Sequence, residues 1–446
     1  MKTLLKAVAI SVMFAFLMNC SGSKKSATDS DFTVDDAQIQ AKVEQLQEKI
    51  AEEPANHEYR RQLATVYHQN GNQLEALKTL EQAMSFDPHD AETRFQYAEI
   101  AIESGFKQKG YQAYKEILQG PQAEAYLDRI APLFSDAFQV TRLTSGGHHE
   151  AMGSFHKDGT HVVYQSNVNG NWDIFEYNLE TKTEKQLTQS TAHEENPSYS
   201  PDGKKLLYTS TEEDHREVEY ERKLRDIYVM DLETKRSLNL TTNGADDWAP
   251  SYSPQGKLIV FISDRADLRE VPFYKRFGNV YLMENDGRFQ MQLCDTSAND
   301  GSPCIAPGSR EDNGTIYFDS DCSGSKAIYS MDFKGGNLRQ ITFNPQANDA
   351  TPSVSPSGDK IAFISDRDGN YEIYMMNRDG SAQQRLTSNP ADDLHPVFSP
   401  DGQKILFHSN RSGSYDLYLM DLSQQAGSAS ASAVIENIDA AMQSVQ

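Results

Sequence analysis

Between Thr141 and Leu422, short runs of alternating apolar and polar residues are separated by clusters rich in Gly, Pro, Asn and Asp. Alternation with a period of two predicts β-strands, and the clusters predict turns. One order of features returns six times: an acidic residue, a strand ending in a Ser-Pro-Asp-Gly-like turn, an apolar strand, a polar loop, an aromatic strand, and a strand ending in Leu-Thr or a near equivalent. The repeats begin at Glu150, Glu194, Asp247, Asp300, Asp349 and Asp393. Their spacing of 44 to 53 residues suits a four-stranded propeller blade, so the pattern predicts an all-β six-bladed propeller at residues 139–422.

The two ends of this region indicate how the ring closes. The sixth repeat stops at Leu422 after three strands, whereas residues 139–144 have the sequence of a final strand and precede the first repeat. We therefore predict that this early strand completes the sixth blade. Closure of this kind removes an exposed strand edge.

A helical pattern precedes the propeller, at residues 34–136. Small and large apolar residues alternate at helical spacing, with Gly71 at a turn and Pro88 after a helix end, and a weaker copy follows. The positions are Leu63, Ala64, Tyr67, Ala76, Leu80 and Ala83, then Tyr97, Ala98, Ala101, Gly105, Gly110, Tyr114 and Ile117. This spacing resembles a tetratricopeptide module of two repeats with flanking helices. A generic helical bundle is the alternative.

The repeated turn, the Asp-aromatic-Tyr-x-Met-Asp strand and the Leu-Thr ending resemble the PD40, or TolB-like, propeller repeat over roughly two thirds of the chain. The resemblance implies a six-bladed propeller used mainly for protein contacts at the bacterial envelope. The same repeat type also occurs in prolyl-oligopeptidase-like enzymes and oligogalacturonate lyases. Fold similarity alone does not choose between these roles.

The N-terminus is typical of an export signal. Lys2 and Lys6 precede an apolar run that ends before Cys20 and is too short to span a bilayer. The arrangement resembles a lipoprotein signal at residues 1–20, with Cys20 as the lipidated residue, although Asn19 departs from the usual small residue. A plain secretory signal is the alternative. We expect residues 21–33 to form a polar tether. We also expect residues 423–446, rich in Ser, Ala, Gly and Gln, to be a flexible tail; a brief helix at residues 433–445 is the alternative.

The net charge limits the classes of partner, and the cysteines leave the choice between a disulfide and free thiols open. The formal net charge of −23 argues against nucleic acid, which requires a basic surface. The same charge suits basic partners or cations. Cys294, Cys304 and Cys322 fall in or beside the fourth blade, so a Cys304–Cys322 disulfide and three reduced thiols are both open.

The acids that begin the six repeats precede the innermost strand of each blade, so we expect them to surround one mouth of the central channel. Two interpretations remain open: each carboxylate caps its own turn, or the ring attracts a basic partner segment or a hard cation. We predict partner binding at Glu150, Glu194, Asp247, Asp300, Asp349 and Asp393. A metal held by His149 and His193 is a further alternative, but we predict no metal and no cofactor.

Two loops on the same face are extended, at residues 211–225 of the second blade and 264–278 of the third; we call them the blade-two loop and the blade-three loop. They carry aromatic residues and arginines, which are common at binding hot spots. The predicted partner-binding residues are Tyr220, Arg269, Phe273, Tyr274, Arg276 and Phe277. The alternative is that these loops are solvent-exposed surface segments that bind no partner.

The sequence contains no Gly-x-Ser-x-Gly elbow and no His-Glu-x-x-His motif. We therefore predict a non-catalytic, lipid-anchored scaffold at the periplasmic side of the outer membrane, binding envelope proteins through its propeller face and its tetratricopeptide groove. An outer-membrane, secretion or peptidoglycan-linked assembly follows from the resemblance only. The alternative is a metal-dependent lyase acting at the channel mouth.

Overall fold

The computed structural model describes residues 34–272, 275–294, 297–308, 314–427 and 430–444. The predicted signal, Cys20 and the tether lie outside these ranges. The chain divides into two compact units, Met1–Ile100 and Ala101–Gln446. None of the helices in the described ranges has the length and apolar character needed to cross a bilayer.

The helices of the N-terminal part follow the predicted tetratricopeptide spacing. They are α1 (Val34–Glu52), α2 (His57–Gln69), α3 (Gln73–Phe86), α4 (Ala91–Glu103), α5 (Lys107–Gln119) and α6 (Ala123–Ile130). Leu63 and Ala64 of α2 and Ala76, Leu80 and Ala83 of α3 are at most 5% exposed, because they interlock between the two helices. Gly71, in the turn between α2 and α3, has φ +77°, a conformation that glycine adopts without steric cost. The predicted helical module is therefore confirmed.

The described strands form six four-stranded antiparallel sheets, as the sequence predicted. Blade one comprises β2 (Glu150–Phe155), β3 (His161–Ser166), β4 (Asp173–Asn178) and β5 (Thr183–Gln186); blade two β6 (Glu194–Tyr199), β7 (Lys205–Ser210), β8 (Asp226–Asp231) and β9 (Ser237–Asn239); blade three β10 (Asp247–Tyr252), β11 (Leu258–Ser263), β12 (Asn279–Glu284) and β13 (Met291–Gln292). Blade four comprises β14 (Asp300–Ile305), β15 (Thr315–Ser320), β16 (Ala327–Asp332) and β17 (Arg339–Gln340); blade five β18 (Asp349–Val354), β19 (Lys360–Ser365), β20 (Glu372–Asn377) and β21 (Gln384–Arg385). Blade six comprises β22 (Asp393–Phe398), β23 (Lys404–Ser409), β24 (Asp416–Gln425) and the early strand β1 (Phe138–Arg142).

The ring closes as predicted, by pairing of β1 with β24. Val140 lies opposite Met420 and Arg142 opposite Tyr418. The first strand β2 of blade one also packs on β22 and β23 of blade six. The core of the propeller consists of apolar layers between neighbouring blades; the layer between blades six and one, for example, contains Tyr164, Leu406 and Leu417.

The C-terminus differs from the expected flexible tail. The strand β24 continues to Gln425, and residues Ala431–Ser444 form a helix, α7. Val434 and Ile438 of α7 are fully buried, and Lys115 of α5 pairs with Asp439 at 2.5 Å. The composition of the tail hid these two apolar positions, which share one helix face and pack within the second compact unit.

Candidate functional site

The six acids that begin the repeats are the first residues of the innermost strands, and their exposed fractions are only 0–6%. In blades three, five and six the carboxylate accepts a hydrogen bond from an arginine of the same blade. The distances are 2.8 Å from Arg265 to Asp247, 3.0 Å from Arg367 to Asp349 and 2.7 Å from Arg411 to Asp393. Each guanidinium also lies over the tyrosine of the third strand, at 4.9, 4.4 and 5.0 Å from the ring centroids of Tyr281, Tyr374 and Tyr418. Direct partner contact with the acids stays an untested prediction, but this burial and pairing favour the structural interpretation.

Blades one and two lack such an arginine, since Val168 and Glu212 occupy the equivalent positions. Here the acid lies near a second carboxyl group from the preceding blade, Glu150 near Asp416 and Glu194 near Asp173, and one oxygen of each of these four groups has no hydrogen-bond donor. Two such carboxyl groups can share a hydrogen bond only when one of them carries a proton. Burial, with a smaller contribution from the neighbouring carboxyl group, raises the pKa of both glutamates to about 7. The junctions before blades one and two therefore each hold a titratable acid pair. At the junction before blade six, burial likewise raises the pKa of Glu372, near Asp393, to about 7.

These pairs predict that the propeller becomes less stable as the pH rises from 5 to 8. A glutamate in an unfolded chain has a pKa of about 4.3, so at intermediate pH the folded state holds protons that the unfolded state has released. The stabilisation is fully present below about pH 4.3 and is lost as the pH rises through about 7. We expect Glu194→Gln to flatten this slope and, at pH 8, to be more stable than the natural chain by about 2 kcal/mol. Urea unfolding at several pH values, followed by the fluorescence of Trp172 and Trp248 in the propeller, measures it. The control, Asp349→Asn, removes an arginine-paired acid and should lower the free energy of unfolding at every pH. If Glu194→Gln lowered it equally at every pH, the shared proton would be contradicted.

The residue before each acid forms a clamp that the sequence analysis missed. Its backbone N–H donates to the side chain of the residue that follows the second strand of its own blade, at 2.7–3.0 Å in all six blades. The acceptors are Asn167, Thr211, Asp264, Asp321, Asp366 and Asn410. The signal was present, because each of these residues follows a serine that ends the second strand.

The wall of the central channel is formed by residues other than the six acids, whose predicted place is around one mouth of the channel. The channel encloses about 300 Å³, and its wall comes from all six innermost strands. Each strand has a bulge at its third residue, which adopts a left-handed backbone with φ of 44–54°. These residues are Met152, Asn196, Ala249, Ser302, Thr351 and His395. The bulge separates the channel-lining residues from the acids, which lie two positions earlier, so the wall of this cavity carries no carboxylate from the described residues.

The blade-two and blade-three loops are built on one plan. In each loop an aspartate binds the arginine two residues later and accepts the backbone N–H ten residues later: Asp214 with Arg216 and Leu224, and Asp267 with Arg269 and Phe277. The arginine then donates to a backbone oxygen six residues further, at 2.8 Å in both loops. These clips hold two long loops in defined conformations. Their shared Asp-x-Arg-Glu-Val sequence was visible in the chain.

The predicted loop residues differ in their burial and in their contacts. Tyr220 is half-buried; its hydroxyl donates to Glu195, and its ring stacks on His193 at 4.0 Å. Arg269 is engaged in the clip and lies 3.6 Å from the ring of Phe277, while Arg276 is 3.9 Å from Asp264. Phe273 and Tyr274 lie outside the described residues. Leu268, which the sequence analysis did not select, is 90% exposed.

The contacts of the histidines and cysteines bear on two alternatives from the sequence, a metal held by His149 and His193 and a disulfide between Cys304 and Cys322. Nδ1 of His149 accepts the backbone N–H of Tyr415, and Nδ1 of His193 accepts that of Trp172. Cys294, Cys304 and Cys322 form no disulfide within the described residues. The partner of Cys304 in the ladder is Tyr317, whereas Cys322 lies beyond the other end of that strand, so the two thiols are too far apart to bond.

Comparison with known proteins agrees with the architecture. The family model for the TolB β-propeller domain matches residues 274–365 and 346–444, and a tetratricopeptide model matches 36–85. The Tol-Pal system protein TolB of Francisella tularensis subsp. mediasiatica is 29% identical over 231 residues, which are 51% of this chain and 48% of the relative. The chain thus matches about half the length of this curated relative.

Two solved structures that resemble part of this chain differ in their described roles. A putative TolB from Agrobacterium tumefaciens has 18% identity and a TM-score of 0.47, covering 64% of this chain and 98% of the other. An oligogalacturonate lyase from Vibrio parahaemolyticus has 18% identity and a TM-score of 0.45, covering 65% and 95%. At such identities and scores neither likeness bears on activity. Residues 138–425 therefore form a closed six-bladed propeller, residues 274–444 match the TolB β-propeller domain model, and the preceding helices include a match to a tetratricopeptide repeat.

Proposed function

We propose that this chain is a non-catalytic scaffold of the bacterial envelope that binds protein partners at the end of the propeller formed by the blade-two and blade-three loops. The observation that carries the proposal is the common clip of these loops, described above. Loops that are already ordered lose little conformational entropy on binding. The tetratricopeptide-like helices offer a second binding surface of the type used for peptide segments.

The two loops differ in charge, and this difference indicates the chemistry of the partner. The blade-two loop exposes Glu212, Glu213, Glu217, Glu219 and Glu221. The blade-three loop exposes a single glutamate among its described residues, Glu270, together with Leu268, Arg269 and Lys275. A partner with a basic segment beside an apolar residue fits both loops at once.

The envelope location rests on the relatives and on the N-terminal sequence. The curated relative is named as a Tol-Pal system protein, and 231 residues of this chain align with it at 29% identity. The export signal and Cys20 support a lipid anchor, with the chain in an outer-membrane, secretion or peptidoglycan-linked assembly. The acidic net charge is compatible with a cation near the channel as a further ligand.

Site-specific crosslinking tests the proposal. A photoreactive residue at Leu268 should trap envelope proteins in living cells, whereas one at Lys204, an exposed residue in the β6–β7 turn at the opposite end of the blade, should not. Asp267→Ala opens the clip and should abolish the Leu268 products while leaving the melting temperature nearly unchanged, because the side-chain hydrogen bonds of Asp267 all stay within the blade-three loop. Equal products at both positions would refute a binding face at the loops. Unsaturated products from polygalacturonate with Mn²⁺ would instead support the lyase alternative.

A further inference from the structure

The turn between β2 and β3 of blade one differs from its counterparts in four other blades. In blades two, three, five and six the turn begins with Ser200, Ser253, Ser355 or Ser399, and the hydroxyl accepts the N–H of the residue five positions later at 2.9–3.0 Å. That later residue is Lys205, Leu258, Lys360 or Lys404. In blade one both positions are histidines, His156 and His161. The N–H of His161 is accepted by Oδ1 of Asp158 at 3.1 Å, and the N–H of Asp158 points to Nδ1 of His156 at 3.3 Å.

The two imidazoles converge on one carboxylate oxygen. Oδ2 of Asp158 is 2.8 Å from Nδ1 of His156 and 2.9 Å from Nδ1 of His161. One ligand atom from each of the three side chains lies within 4.8 Å of the other two. The exposed fractions of the side chains are 19%, 36% and 33%, so an ion can enter from solvent.

Neighbouring groups hold this arrangement in place. The ring of His156 packs edge-on against Tyr199, with 4.7 Å between the ring centroids. Gly203 also packs against this ring, so closely that a Cβ on Gly203 would lie 2.1 Å from Nε2 of His156. Oδ1 of Asp158 accepts the backbone N–H groups of Thr160 and His161, which orients Oδ2 toward both rings. The three ligand atoms are therefore positioned before any ion arrives.

We propose that His156, Asp158 and His161 bind one borderline divalent cation, such as Zn²⁺, through two imidazole nitrogens and one carboxylate oxygen. Imidazole and carboxylate ligands suit Zn²⁺, Ni²⁺ and Cu²⁺, and three protein ligands leave a tetrahedral position open to water or to a partner side chain. The site lies at the end of the blade opposite to the long loops, so it is independent of the binding face proposed above.

Asn178 sets the strength of this site. Its Oδ1 accepts two backbone N–H groups, from Glu180 and Thr181, which places its Nδ2 at 2.9 Å from Nε2 of His161. When Nδ1 of His161 binds a metal, the proton of the neutral ring moves to Nε2 and faces this amide nitrogen. Asp at position 178 keeps the backbone contacts and accepts the Nε2 proton, as carboxylates do behind many metal-bound histidines.

Zinc titration of the purified full chain against a chromophoric chelator tests the proposal, with Co²⁺ absorption reporting the ligand geometry. We expect one ion per chain, at least about tenfold weaker binding in His156→Ser/His161→Lys and about tenfold tighter binding in Asn178→Asp. Serine and lysine are the residues that other blades use there, so the double variant should fold; if it does not, His156→Ser alone serves. Zinc should also raise the melting temperature of the natural chain but not of the double variant.

The matched control removes two exposed histidines elsewhere, in His148→Ser/His215→Lys, and should leave zinc binding unchanged. Zinc binding by the His156→Ser/His161→Lys variant at the natural affinity, or its loss in the control variant, would overturn the site. So would a natural chain that does not bind zinc in the titration.

Discussion

Replacing Thr141 by proline should lower the free energy of unfolding of the propeller by about 3 kcal/mol, because proline removes a ladder hydrogen bond at the strand that closes the ring. The N–H of Leu143 donates to the oxygen of Leu417 at 2.8 Å. Bonded pairs alternate along an antiparallel ladder, so Thr141 and Leu419, two residues further, form the next bonded pair. Urea unfolding followed by the propeller tryptophans measures the loss.

The control for this prediction is proline at the adjacent position, Val140. The N–H of Val140 faces away from β24 on the outermost strand of the blade, where proline is tolerated. Val140→Pro should therefore cost clearly less than Thr141→Pro, limited to the apolar contacts of Val140 with the core between blades five and six. Equal losses in the two variants would show that β1 does not close the ring by this ladder.

Arg411→Gln should destabilise the propeller by about 3 kcal/mol, since removing one partner of a buried ion pair leaves the other charge uncompensated. Arg411 binds two carboxylates, Asp393 at 2.7 Å and Asp136 at 2.8 Å, and Asp393 is fully buried. Burial raises the pKa of Asp393, and Arg411 is the main group that lowers it. Without the arginine, the folded state favours a protonated Asp393, so the destabilisation should grow with rising pH.

Two further variants separate this effect from a general loss of packing. Asp393→Asn combined with Arg411→Gln should recover part of the stability, because the buried charge is removed as well. Arg288→Gln, which breaks an ion pair whose arginine is 66% exposed, should change stability by less than about 1 kcal/mol. A single Arg411→Gln variant as stable as Arg288→Gln would contradict a structural role for the arginine.

The buried ion pairs and the acid pairs occupy equivalent positions in the ring, but their carboxylates are neutralised in different ways. Blades three, five and six neutralise their inner carboxylate with a fixed arginine. The junctions before blades one and two rely on a proton instead, so their stability depends on pH near neutrality. The two junctions are adjacent, and blade two also carries one of the clipped loops.

The six-bladed architecture and its closure could be predicted from the amino-acid sequence. Six repeats, their four strands, closure by an early strand and the interlocking helices around Ala64 and Ala76 all follow from local signals, because turn residues and apolar spacing act within a few residues of each other. The position of each acid at the start of an innermost strand was also readable, as was the presence of two extended loops. The length and apolar face of α7 were underestimated because composition was weighed above the spacing of Val434 and Ile438.

The contacts of the acids, in contrast, depend on how the blades pack. Whether a carboxylate is exposed, paired or sharing a proton depends on a neighbour that is distant in sequence, such as Arg265 for Asp247 or Asp416 for Glu150. The bulge that separates the acids from the channel wall, and the convergence of His156 and His161 on Asp158, likewise require the backbone path. Side-chain chemistry is set by the field of surrounding groups, and that field exists only once strands from separate repeats pack together.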